Sequence, residues 1–149
     1  MSYKKILIIY GTETGNSELL AMDAEKLAND LEFDVTVNGM DEIVLSDIQD
    51  NGNVLIVCST WGDGEQPDNA IDLYESIENS GDTSMAGVGF AVLALGDTAF
   101  DLFCEAGIQW DNILQEKGGK RINERIDCDV DYEDDAEEWI EDTLNLFNQ

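Results

Sequence analysis

The sequence predicts one α/β domain, a five-stranded parallel sheet with helices on both faces. Three observations carry this. Continuous apolar runs rich in Val, Ile and Leu recur along the chain, as strands covered on both faces require. Segments with helical spacing lie between them, and strand and helix alternate five times, the signature of a parallel sheet with crossover helices. The 149 residues, 43% of them hydrophobic, suffice for one core and leave no room for a second.

Residues 5–10 (KILIIY) form the first strand. A loop over 11–16 leads into a helix over residues 17–31, with Leu19, Leu20, Leu27 and Leu31 expected on its buried face. Residues 33–37 are a short second strand, and residues 53–59 (NVLIVCS) are a third, fully buried one. No element is predicted over residues 38–52. Residues 68–80 read as a helix with Ile71, Tyr74 and Ile77 inward, residues 88–95 as the fourth strand and residues 103–117 as the next helix. Residues 121–127 are a less apolar fifth strand, which belongs at an edge. Residues 131–147 close the chain as a helix with Trp139, Ile140, Leu144 and Phe147 on one face. The acidic residues at its start suit the positive N-terminal end of a helix.

Charge narrows the possible partners. Thirty-four acidic residues face seven Lys and Arg, the net charge is −27, and there is no His. The 90 residues between Lys26 and Lys117 hold 19 acids and no cation. No basic face remains for nucleic acid, and an anionic membrane surface repels the chain; a protein partner should be basic. The amino terminus does not read as a signal peptide. No apolar run approaches the roughly 18 residues a membrane span needs. Cys58, Cys104 and Cys128 are odd in number and lack metal-type spacing, so reduced, packed thiols in a cytoplasmic monomer with no metal are expected.

In such a fold, ligands bind at the carboxyl ends of the strands, and three loops there are unusual. The first is Gly11-Thr12-Glu13-Thr14-Gly15-Asn16-Ser17. Its amides, its hydroxyls and the helix dipole suit an anion. It has no Lys and no G-x-G-x-x-G, so neither a P-loop nor a dinucleotide site fits. A single phosphate held by neutral donors and a plain capped helix start both remain open. The second loop, residues 59–69, sets Trp61 among glycines and acids, either as cover for neighbouring helices or as a platform for a flat ligand. The third, residues 95–104, places Phe100 on the same edge. Two aromatics beside a monophosphate cradle suggest a planar ring with a phosphate tail, each stacked ring contributing roughly 0.5–1.5 kcal/mol beyond its area burial.

With these residues in hand, the chain resembles the flavodoxin family over nearly its whole length, which implies strand order 2-1-3-4-5. Residues 11–17 resemble the family's T/S-x-T-G-N-T/S loop, which holds the phosphate of FMN. Residues 59–63 (STWGD) resemble the loop covering one flavin face, and residues 96–100 (GDTAF) with Phe103 and Cys104 the loop covering the other. Residues 125–127 resemble the family's last strand, and the lack of a long insertion there is similar to short-chain flavodoxins. The resemblance implies that Thr12, Glu13 (through its amide), Thr14, Gly15, Asn16 and Ser17 bind phosphate. Ser59 and Thr60 would face the ribityl chain, and Trp61 and Phe100 would sandwich the ring. Leu95, Gly96 and Phe103 complete the cofactor-binding set, while backbone groups of Asp97, Leu102 and Cys104 would meet the pyrimidine edge. Gly62 and Asp63 would span the peptide that reorients toward flavin N5 upon one-electron reduction. Phe100 departs from the family's usual Tyr, and residues 64–69 (GEQPDN) look more like the flavin domains of diflavin reductases.

The implied chemistry is low-potential one-electron transfer on non-covalently bound FMN, with no catalytic residues and no substrate chemistry of its own. The alternative is an FMN-dependent quinone or NAD(P)H reductase of related fold. Implied partners are a flavin or iron-sulfur reductase and acceptor enzymes with basic docking patches. A charge 10 Å from the ring is worth roughly 0.4 kcal/mol in water-like dielectric. Asp63, Glu65, Asp68, Asp97 and Asp101 together could lower the second potential by about 100 mV.

Overall fold

In the computed structural model of the chain, the described residues are 4–12, 15–60, 64–96, 104–129 and 131–148. Strand β1 (Lys5–Gly11) leads to helix α1 (Asn16–Asp30), β2 (Asp34–Gly39) and a 3-10 turn at Met40–Glu42. Helix α2 (Leu45–Asn51), β3 (Asn53–Ser59), a second 3-10 turn at Asp68–Ala70 and α3 (Ile71–Glu78) follow. The chain continues through β4 (Gly89–Leu95), α4 (Glu105–Glu116), β5 (Lys120–Arg121), β6 (Ile126–Cys128) and α5 (Glu133–Phe147).

All pairings are parallel, in the order β2-β1-β3-β4-β5, with β6 also paired to β4. Alternate strand residues face opposite layers. Ile6, Ile8, Leu55, Val57 and Leu93 pack beneath α1 and α5, whereas Leu7, Ile9, Val54, Ile56 and Val92 pack beneath α3 and α4. The predicted class and order therefore hold.

Four expectations change. The fifth strand is not continuous over 121–127. Lys120 and Arg121 pair with Gly89 and Phe90, and Ile126 resumes opposite Leu93, so the chain carries two residues more than its partner between these points. The surplus is clasped by α5, where Trp139 Nε1 donates to Glu124 O (2.9 Å) and Asn123 Nδ2 donates to Thr143 Oγ1 (2.9 Å). Second, α1 does not bury Leu19, which is 60% exposed; it seats on Leu20, Ala21, Ala24 and Ala28. Small side chains let the helix lie close to the sheet; of the four predicted leucines, Leu20 is buried and Leu27 and Leu31 pack against the core, so Leu19 alone departs from the expectation. Third, Ile71 is 38% exposed and α3 buries Leu73 in its place, while Ile77 is buried as expected. Fourth, α2 occupies part of the unassigned stretch. It buries only Ile48, too little periodicity to stand out, and is held by Asp47, whose Oδ2 accepts from Val44 N at 3.0 Å.

Candidate functional site

The sheet order makes β1 and β3 the point where successive crossovers leave in opposite directions, and there the carboxyl ends open a crevice. β1 ends at Gly11, β3 at Ser59 and β4 at Leu95, three neighbouring strands in register. Thr12, Gly15, Asn16 and Ser17 follow β1, Ser59 and Thr60 close β3, Leu95 and Gly96 close β4, and Cys104 precedes α4. These predicted residues share one edge. Glu13, Thr14, Trp61, Gly62, Asp63, Asp97, Phe100, Leu102 and Phe103 lie outside the described residues, as does Asp101.

At the β1 end, Gly15 caps α1 with φ 94°, and among the described residues beyond its chain neighbours no heavy atom lies within 4 Å of where a Cβ would stand. The first helical bond runs from Leu19 N to Gly15 O (3.1 Å), so the amides of Asn16, Ser17 and Glu18 precede any intrahelical acceptor. The positive end of the helix dipole adds to them. The Gly15 amide donates to Thr12 Oγ1 at 2.8 Å, which folds the loop back on itself. Ser17, fully buried, shares a 2.6 Å hydroxyl contact with Ser59 and ties the β1 loop to β3. No Lys or Arg occurs in the loop. A cradle of amides and hydroxyls at a helix start fits one phosphate monoester, and the open space at Gly15 lets it approach the backbone.

Other supporting residues were not singled out from sequence. Asn69 grips the end of β1 from both sides: its Oδ1 accepts from Thr12 N (2.9 Å) and its Nδ2 donates to Tyr10 O (3.2 Å). Gln66 joins the second loop to α4. Its Nε2 donates to Ala106 O and Gln109 Oε1, both at 3.0 Å, and its Oε1 accepts from Trp110 Nε1 at 2.9 Å. Thr60 Oγ1 accepts from Ala106 N at 3.0 Å and so caps the first turn of the same helix. Loop composition marks such residues only as polar, and their partners are about 40 or more positions away, beyond the reach of local pattern.

Burial shapes the acid–base character of the edge. Cys58, Cys104 and Cys128 are free and buried, as expected of packed thiols. Burial pushes Cys104 up to about 12 and Cys128 up to about 11, with nearby Asp127 adding to both, and it raises Cys58 further still. These thiols are no nucleophiles at neutral pH. The Tyr10 phenol is pushed up to about 12 by burial, then by its hydrogen bond to Glu18 and by the charges of Glu18, Glu42 and Asp41. Cys104 itself sits at φ 57°, a conformation uncommon for a side-chain-bearing residue and a store of local strain. Its Sγ donates to Cys128 O at 3.6 Å. No proton shuttle emerges among the described residues.

The Flavodoxin family model matches residues 8–141. The sulfite reductase [NADPH] flavoprotein alpha-component of Bacillus subtilis (strain 168) is 40% identical over 146 residues, covering 98% of this chain and 24% of that protein. The chain thus spans about a quarter of that relative's length. Among solved structures, the flavodoxin of Streptococcus pneumonia TIGR4 superposes with a TM-score of 0.86 at 27% identity, covering 96% of this chain and 97% of that one. Oxidised Flavodoxin 2 from Bacillus cereus gives 0.83 at 30% identity, with the same coverage of both chains. The phosphate-fitting loop, the sheet order and these likenesses agree: the chain belongs to the flavodoxin family.

Proposed function

We propose that this chain passes single electrons between an NADPH-linked flavin reductase and an acceptor protein, each docking through a basic patch onto its acidic surface. As a flavodoxin it is an FMN-binding electron-transfer protein rather than a substrate-converting enzyme. The observation that carries the cofactor assignment is the cation-free cradle of Thr12, Gly15, Asn16 and Ser17 at the start of α1. In this fold FMN sits at the β1/β3 switch point, and there Ser59 and Thr60 close β3. FMN supplies the redox chemistry. The chain's own residues hold its phosphate, and the Thr60 and Gln66 hydrogen bonds fix the second loop against α4. Trp61 and Phe100 as stacking partners, Asp97, Leu102 and Cys104 at the pyrimidine edge, Glu13 (through its amide) and Thr14 at the phosphate, Gly62 and Asp63 at the peptide facing flavin N5, and Leu95, Gly96 and Phe103 complete the proposed site.

The reductase end of the proposal rests on likeness to the Bacillus subtilis NADPH sulfite reductase flavoprotein and on residues 64–69. The net charge of −27 supports the basic character of both partners. The buried thiols suit a reducing compartment, and we place the chain in the cytoplasm as a monomeric single domain over residues 1–149. Among the described residues, no helix is long and apolar enough to cross a membrane.

Anaerobic stepwise reduction of the FMN-loaded protein, followed by visible absorption and electron paramagnetic resonance, tests the assignment. A stable one-electron stage is expected. Direct two-electron reduction together with turnover of NADPH and a quinone by the chain alone would replace it with an oxidoreductase. No flavin uptake would leave only the fold.

A further inference from the structure

Helices α1 and α5 enclose a groove of about 620 Å³ on the outer face of the molecule. Leu19 and Met22 line it and are 60% and 47% exposed, with Leu20, Leu27 and Ile140 forming the apolar floor. Large apolar side chains gathered in one surface depression are a contact surface more often than an accident. The rim is acidic from both walls: Asp23 stands on α1, and Glu133 and Glu137 stand on α5. Burial and the charges of Glu133 and Asp23 raise the Tyr132 phenol between the walls above its ordinary value, which places both carboxylates near that hydroxyl. Among the described residues, the one cation lining the groove is Lys26, toward the far end of α1 from the phosphate loop.

We propose that this groove docks a basic amphipathic helix of a partner protein, whose apolar side chains seat on Leu19 and Met22 while its Lys and Arg meet Asp23, Glu133 and Glu137. The walls run from Leu19 to Lys26 and from Glu133 to Ile140. Each is two helical turns, or about 10 Å at 1.5 Å per residue, a length that suits anchors three or four residues apart on a bound helix. A second copy of this chain is a poor occupant, because each copy brings net charge −27 and an acidic rim to the same contact. Position favours a redox partner. Leu19 donates its amide to Gly15 of the phosphate cradle, so a helix seated here lies one turn from the proposed FMN site. The identity of the occupant as a redox protein rests on the proposed function; the groove and its chemistry do not.

The test uses the full chain and a synthetic peptide of two Leu/Lys heptads, with oligolysine of equal charge as the control. The Leu/Lys peptide is expected to bind at least roughly tenfold more tightly than oligolysine, with backbone amide shifts centred on α1 and the start of α5. Leu19→Glu/Met22→Glu adds two negative charges yet should weaken the peptide by roughly tenfold, while circular dichroism confirms an unchanged fold. Binding driven by charge alone would strengthen in that variant, and this result overturns the proposal. So would equal affinity for the two peptides, amide shifts on α3 and α4, or a peptide-free dimer abolished by the double substitution. FMN titration is run alongside: flavin uptake without peptide binding removes the dock alone, and peptide binding without flavin uptake removes the flavin reading alone.

Discussion

Gln66 shows what a single side chain does at this edge. It satisfies the indole N–H of fully buried Trp110 and, through its own amide, two acceptors on α4. Gln66→Leu keeps the volume and strands that indole donor, so chemical unfolding should show a loss of about 1–3 kcal/mol. FMN affinity should fall with it, because the second loop loses its anchor; an unchanged affinity would mean that the loop is held elsewhere. The buried thiols make a second residue-level case. Their folded values of about 12 for Cys104 and about 11 for Cys128 lie above the ordinary 9.0. The unfolded chain therefore releases thiol protons first as pH rises. The stability these protonated thiols contribute is complete below pH 9 and is lost as pH climbs through 11 to 12. The urea midpoint should hold steady up to about pH 8.5 and then fall, with Cys128→Ala softening the decline. A midpoint that stays flat up to pH 11 would contradict the burial. From sequence, the thiols were legible as packed and residues 11–17 as the loop that joins the first strand to the first helix. Gln66 and Asn69 were not, since a polar loop residue declares its partner only when the chain has folded.

Elements were read best where burial is two-sided. β3 matches its sequence prediction residue for residue, because continuous apolar runs have one physical explanation in an α/β fold. On α1, where alanines carry the closest contact, the leucine pattern misled at Leu19 alone, and the short α2 offered a single buried side chain. The break between β5 and β6 left no sequence signal at all, since its cause is a clasp from α5. The α4–β4 contact shows how tight such close approaches are. A Cβ on Gly107 would stand 2.2 Å from Ala94 Cβ and 3.0 Å from Ala94 Cα, and neither atom can rotate away. Gly107→Ala should therefore push α4 off the sheet beside the site, costing about 1–3 kcal/mol or more, and the urea midpoint reads it directly. The split strand has its own lock. Asp111, nearly buried, takes Arg121 at 2.9 Å and Arg125 at 3.0 Å, and Arg125 turns also to Asp127 at 2.7 Å. Asp111→Ala leaves two largely covered guanidiniums without their shared partner and should cost about 3 kcal/mol. A loss below about 1 kcal/mol would class the network with surface pairs.

Over the whole molecule, four of the seven Lys and Arg are spent on structure. Lys117 Nζ caps the end of α3 at Glu78 O and Ser80 O, Lys4 Nζ meets Phe147 O at the end of α5, and both arginines hold Asp111. With 34 acids against seven cations, most carboxylates have no cation to pair with, so the folded chain carries self-repulsion that unfolding relieves. Salt should then stabilise it. Between about 0.01 M and about 1 M the screening length falls from roughly 30 Å to roughly 3 Å, and the thermal midpoint should rise by several degrees. The buried Asp111 network is screened far less, so the stability gap between wild type and Asp111→Ala should change little along the same series. The acids that repel one another are also those that would draw in a basic partner, and screening removes both effects. One salt series must therefore move two readouts in opposite directions: the thermal midpoint upward, and the rate of electron exchange with a basic reductase downward. A midpoint that rises while exchange is indifferent to salt would separate solubility from recognition and assign docking to the apolar floor between α1 and α5. If both fall together, the acidic surface is not under strain, and the excess charge must be balanced within the fold.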